Sequence, residues 1–101
     1  MSRARIPIPE QQLADFCRRH HIRRLSLFGS VLRDDFTPES DVDVLVEFER
    51  ETHISLLGLV RAEREMGELL GRKVDLVCRE DLDKYFRDEV FAEEETVYVE
   101  T

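Results

Sequence analysis

The stretch LFGSVLRDDFTPESDVDVLVEF, residues 27–48, constrains the fold more than any other part of this chain. It joins two strand-like runs through a connection punctuated by Gly29 and by Thr37-Pro38. Ile22 to Phe28 alternates, with Leu25 and Leu27 pointing one way and Ser26 and Phe28 the other. Gly29 breaks that strand. Ser30 to Asp35 reads as a short helix ending at Thr37-Pro38, because the residue before a proline resists the α conformation. Val42 to Phe48 is a second strand. Val42, Val44, Val46 and Phe48 share one face, and Asp41, Asp43, Leu45 and Glu47 share the other.

The flanking text alternates in the same way. Pro9 can open a first helix carrying Leu13, Phe16, Cys17 and His20, with its end near His21. Thr52 is the expected N-cap of a long helix with the stripe Leu56, Leu59, Val60, Met66, Leu69 and Leu70. Gly71 is placed to end it in the left-handed conformation. Lys73 to Cys78 forms a third strand, with Val74, Leu76 and Cys78 on one face and Asp75 and Val77 on the other. Asp81 can cap a last helix bearing Leu82, Tyr85, Phe86 and Val90, and Thr96 to Val99 is a fourth strand or an extended tail. At 101 residues, this pattern predicts a single α/β domain over residues 1–101, with helices flanking a small sheet of mixed strand direction.

The spacing of the polar residues then suggests chemistry. Asp41 and Asp43 stand at i and i+2 of a strand, so they project together, ~6–7 Å apart along the chain. Neighbouring carboxylates repel, and a divalent cation relieves that repulsion. Oxygen-only ligands favour magnesium or manganese. If the third strand lies beside the second, Asp75 can join them, either holding a second metal or taking a proton from an attacking hydroxyl. Gly29 lets the backbone come close to a phosphate, and the N–H groups at the start of the following helix favour an anion. Ser30 can add a hydroxyl donor. Arg33 could reach a phosphate or pair with Asp35.

Charge narrows the partners. The formal net charge of −8 argues against duplex DNA or RNA as the main partner. Six of the first 24 residues are arginines (Arg3, Arg5, Arg18, Arg19, Arg23, Arg24), whereas the last quarter is acidic, from Glu80 to Glu100. These are solvated faces or a docking surface for a partner of opposite pattern. Cys17 and Cys78 form no CxxC or zinc pattern and read as core residues. His20, His21 and His53 are not spaced for a metal. The N-terminus MSRARIPIP lacks the apolar segment of a signal peptide, and no run is long enough to span a membrane, so a cytoplasmic protein is expected.

Gly29-Ser30 followed after ten residues by Asp41-x-Asp43 resembles the nucleotidyltransferase signature of the DNA polymerase beta superfamily. The segments FGSVLRDDF, SDVDVLVEFE, KVDLV and ETVYVE resemble its minimal nucleotidyltransferase (MNT) branch, from about Ile22 to the end of the chain. The resemblance implies the polymerase beta-like fold. It also implies an antitoxin that transfers AMP from ATP to a tyrosine of a HEPN-domain ribonuclease toxin and so silences it. An antitoxin that only binds and sequesters its toxin is the alternative. Carried over, Gly29 and Ser30 would bind the triphosphate, Asp41 and Asp43 would bind magnesium, and Asp75 would complete the metal site and assist deprotonation of the acceptor. Asp34 stands where such motifs often have glycine. A chain this short has no room for extra substrate-gripping domains. The partner is therefore expected to complete the substrate site, docking on the long helix or the arginine-rich first one.

Overall fold

Strands β1 (Ile22–Phe28) and β2 (Val42–Phe48) run antiparallel at the centre of a four-stranded sheet. β3 (Val74–Cys78) adds to β2 in parallel, and β4 (Glu95–Val99) adds to β1 antiparallel, giving the order β3-β2-β1-β4. The parallel pair needs a long crossover, and helix α2 (Leu56–Leu70) supplies it. Helix α1 (Glu10–Arg19) precedes β1, and α3 (Arg87–Glu93) precedes β4. This computed structural model describes residues 6–34, 36–85 and 87–100. Arg3, Arg5, Asp35 and Phe86, which entered the sequence expectations, lie outside the described residues.

The alternation of β2 divides the molecule into two layers. Val42, Val44 and Val46 join Leu25, Leu27, Val74 and Leu76 against Leu13, Phe16 and Cys17 of α1 and Ala62 and Met66 of α2. Ile22 also reaches this core, although it is three residues from Leu25. The register slips between Ile22 and Arg24, a bulge that resets the alternation. On the opposite face, Leu45 packs with Leu82 and Val90, with Phe28 and Val77 at their edge. The expected carboxylate face is therefore half core and half site. Both cysteines are buried and unpaired, as their apolar neighbours suggested. Burial pushes the Cys17 thiol up to about 12, which keeps it protonated and unreactive.

Three boundaries differ from the sequence expectation by more than two residues. The connection after β1 is not a helix to Asp35 but a single 3-10 turn, Gly29–Leu32. The N-cap of α2 is Ser55, whose Oγ accepts the Gly58 N–H at 3.0 Å, rather than Thr52. The Thr52 N–H instead closes a turn on the Glu49 carbonyl, with Glu51 in the left-handed region at φ 68°. Leu56 and Val60 of the expected core stripe are 78% and 53% exposed. Asp81 does not cap α3. It ends a second 3-10 turn, Arg79–Asp81, and the helix starts only at Arg87. Tyr85 is consequently 84% exposed, while Leu82 and Val90 are buried as expected.

The remaining elements agree with the sequence reading. Pro9 leads into α1, with its carbonyl accepting the Leu13 N–H at 2.8 Å. Gly71 ends α2 at φ 67°. The segment considered as a strand or a tail is strand β4, because its backbone pairs with β1. No helix among the described residues is long and apolar enough to cross a membrane.

Candidate active site

The site lies where β1 ends beside β2. Phe28 is paired with Asp43, so Gly29 turns the chain directly over the Asp43 carboxylate. Gly29 has φ 76°, and a Cβ there would stand 2.3 Å from Asp43 Oδ2. Both facts require glycine: the backbone is left-handed, and the space a side chain would use belongs to the carboxylate. Ser30 follows in the 3-10 turn, half-buried, and its carbonyl accepts the Arg33 N–H at 2.9 Å.

Asp43 is register-paired with Asp75 across the parallel β2–β3 ladder, and Asp41 precedes it by two residues. The strand pairing thus brings the three aspartates to one corner of the sheet, as expected if the third strand lies beside the second. Asp75 is on the edge strand and is exposed, while Asp43 is half-buried. Burial pushes the Asp43 carboxyl above its ordinary value, and the charges of Asp75 and Asp41 push the same way, followed by that of Glu93. Arg33 opposes them. Asp41 also lies 4.0 Å from the exposed Lys73 ammonium.

Among the described residues, no three His, Cys, Asp or Glu side chains converge tightly enough to enclose a metal by themselves. The donor set still suits magnesium, which takes one or two carboxylates and completes its shell with substrate phosphates and water. Mutual repulsion at Asp43 is what a bound cation would relieve.

Two features of the site were not legible in the sequence. Glu93, at the end of α3, accepts the Gly29 N–H at 3.0 Å and receives the Arg33 guanidinium at 2.9 and 3.1 Å. The sequence reading gave Arg33 to a phosphate or to Asp35, and it left Glu93 in an acidic tail. A separation of 64 residues between Gly29 and Glu93 carries no local signal. The second feature is the anchor behind Glu93. Arg79 holds Glu94 through two bonds at 2.9 and 2.6 Å, Arg24 approaches Glu94 at 3.4 Å, and Arg79 stacks on Phe91 at 4.3 Å. Burial works to raise the Glu94 carboxyl, but the bonds from Arg79 and Ser26 and the charges of Arg79 and Arg24 outweigh it and hold the carboxyl low. Glu47, on the carboxylate face but left out of the expected site, sides with this anchor at 3.9 Å from Arg79. A groove of about 530 Å³ opens between the Gly29 turn and α3.

His20 bonds Glu65 at 2.7 Å, tying the end of α1 to α2.

The comparisons with known proteins agree with this architecture. The nucleotidyltransferase domain family matches residues 10–99. A proposed protein adenylyltransferase of Methanocaldococcus jannaschii is 37% identical over 75 residues, covering 74% of this chain and 78% of that protein. The solved structure of a proposed minimal nucleotidyltransferase superposes with a TM-score of 0.70 at 34% identity, covering 85% of this chain and 86% of that one. A structure of the tri-AMPylated Shewanella oneidensis HEPN toxin with its MNT antitoxin has a TM-score of 0.65 at 17% identity, covering 90% of this chain and 70% of that one, and shares the fold. With the family match spanning almost the whole sequence and a related protein at this level of identity, the chain belongs to the nucleotidyltransferase domain family.

Proposed function

We propose that this chain is a protein adenylyltransferase that transfers AMP from ATP to a tyrosine hydroxyl of a cognate HEPN-domain toxin, and that it acts as the antitoxin of that pair. The observation that carries this reading is the placement of a side-chain-free backbone turn at Gly29 directly over Asp43, with Asp75 alongside. The related adenylyltransferase and the AMPylated toxin complex supply the chemical class of nucleotide and acceptor.

In this reading Gly29, Ser30 and Arg33 grip the triphosphate. Asp41 and Asp43 hold a divalent cation, magnesium or manganese, and Asp75 completes the set. When bound, the cation supplies charge neutralisation for the triphosphate and lowers the barrier to deprotonating the acceptor. The tyrosine oxygen forms a bond to the α-phosphorus while the bond to the β-phosphate oxygen breaks. Pyrophosphate leaves, the phenolic proton passes to Asp75, and a phosphodiester between AMP and tyrosine remains. A triphosphate beside Asp43 and Asp75 would otherwise meet like charge, so the reaction requires the cation. Such use of ATP belongs in the cytoplasm.

The test is transfer of label from ATP radiolabelled at the α-phosphate to the HEPN partner, with magnesium, with and without EDTA, read on a denaturing gel. Label on the partner that is lost with EDTA and in Asp41→Asn is expected. A stable complex with no label would replace this reading with neutralisation by binding alone.

A further inference from the structure

We propose that the Glu93 carboxylate is an internal occupant of the phosphate cradle, which the triphosphate must displace, and that this residue therefore sets nucleotide affinity. The inference rests on reading Gly29 and Arg33 as triphosphate ligands. Glu93 Oε1 accepts from the Gly29 N–H at 3.0 Å and from Arg33 Nη2 at 3.1 Å, and Oε2 accepts from the same Nη2 at 2.9 Å. Two anionic oxygens set against a backbone N–H and a guanidinium make the same pattern that a phosphate makes with those donors. A phosphate cannot take the Gly29 N–H or the Arg33 Nη2 hydrogens while Glu93 holds them.

The surrounding structure lets this side chain leave without dismantling the fold. Its neighbour Glu94 is 6% exposed and fixed by Arg79, so the backbone at the end of α3 is anchored. The Glu93 side chain is 30% exposed and faces the groove shared by Gly29, Arg33 and Glu89, which gives it a route toward solvent. Nucleotide entry is then an exchange of one anion for another, with Arg33 passing from carboxylate to phosphate.

The experiment is isothermal titration calorimetry of ATP, and separately of inorganic tripolyphosphate, each with magnesium, on wild type, Glu93→Gln, Glu93→Ala and Glu89→Gln. Glu89 lines the same groove and is exposed, so its variant removes the same charge while leaving the Glu93 bonds in place. Both Glu93 variants are expected to bind both ligands roughly threefold to tenfold more tightly than wild type, as suits loss of a partly exposed charge-assisted contact. Glu89→Gln is expected to stay within about twofold of wild type, as suits a screened surface charge. Circular dichroism checks the fold, and the isosteric Glu93→Gln decides if Glu93→Ala unfolds. Unchanged or weaker binding by the Glu93 variants, in a chain that binds ATP and transfers label, overturns this inference alone. Equal tightening by Glu89→Gln reduces the effect to net charge and also overturns it. Failure of every chain, wild type included, to bind either ligand removes the phosphate cradle itself, and this inference with it.

Discussion

Asp43 and Asp75 stand side by side across the parallel β2–β3 pair, and the charge of Asp75 adds to the burial that already pushes the Asp43 carboxyl up. The fold thus places a carboxyl where burial and neighbouring charge disfavour ionisation, an arrangement suited to receiving a cation.

The first prediction follows from the sign of that shift. A carboxyl whose folded pKa is raised contributes stability that is fully present below its unfolded pKa, about 3.9, and lost as pH rises through the folded value. Ionisation of Asp43 is therefore a net cost to the fold. Asp43→Asn should melt a few degrees above wild type at pH 7 without added cation, with the gap closing toward pH 4, and it should transfer no AMP. Magnesium should raise the melting temperature of wild type but not of the variant. A variant that melts below wild type at pH 7 would show that the carboxylate is not under the strain described.

Gly29→Ala tests the close approach. The added Cβ would meet Asp43 Oδ2 at 2.3 Å, on a backbone with φ 76°. The left-handed conformation alone costs about 1 kcal/mol for alanine, and the clash adds to it. We expect a loss of about 2 kcal/mol in urea denaturation and no detectable transfer. Gly71→Ala is the control, because it has φ 67° with nothing within 4 Å. It should lose about 1 kcal/mol and keep full activity.

Arg79 and Glu94 predict an acid sensitivity. Glu94 is held low, so its stabilising contribution is present above the ordinary glutamate pKa and lost as pH falls through the depressed folded value. Between about pH 5 and pH 3, wild type should lose more stability than Glu94→Gln. Arg79→Ala leaves a carboxylate that is 6% exposed without its two strongest bonds, and it should cost about 3 kcal/mol at pH 7. Chemical denaturation across that range measures both effects.

Ser55 and Thr52 can be separated by the same measurement. Ser55→Ala removes the bond to the Gly58 N–H and should cost about 1 kcal/mol. Thr52→Ala should change stability by less than about 0.5 kcal/mol, because it does not cap α2. Equal losses would mean that α2 begins earlier in solution.

Period-two alternation located β1 and β2 to the residue, since burial on one face leaves little freedom in register. Gly71 was legible because a left-handed helix end has a strong residue preference. The start of α2 was not. Thr52 carries the hydroxyl of a capping residue, but its N–H closes a turn on Glu49 and the helix is capped three residues later by Ser55. The 3-10 turn after Gly29 was misread as a longer helix because the pairing of Phe28 with Asp43 shapes the chain there.

The grouping of Gly29, Ser30, Asp41 and Asp43 is already present in the order of residues, because they flank one connection between two strands and strand geometry alone aligns the aspartates. Tertiary structure decided the rest. The parallel pairing of β2 and β3 sets Asp75 beside Asp43, and the return of the chain through α3 brings Glu93 onto Gly29 and Arg33. The physical reason is range. Alternation and turn preference act over a few residues, whereas contacts between residues 29 and 93 depend on how the whole sheet closes.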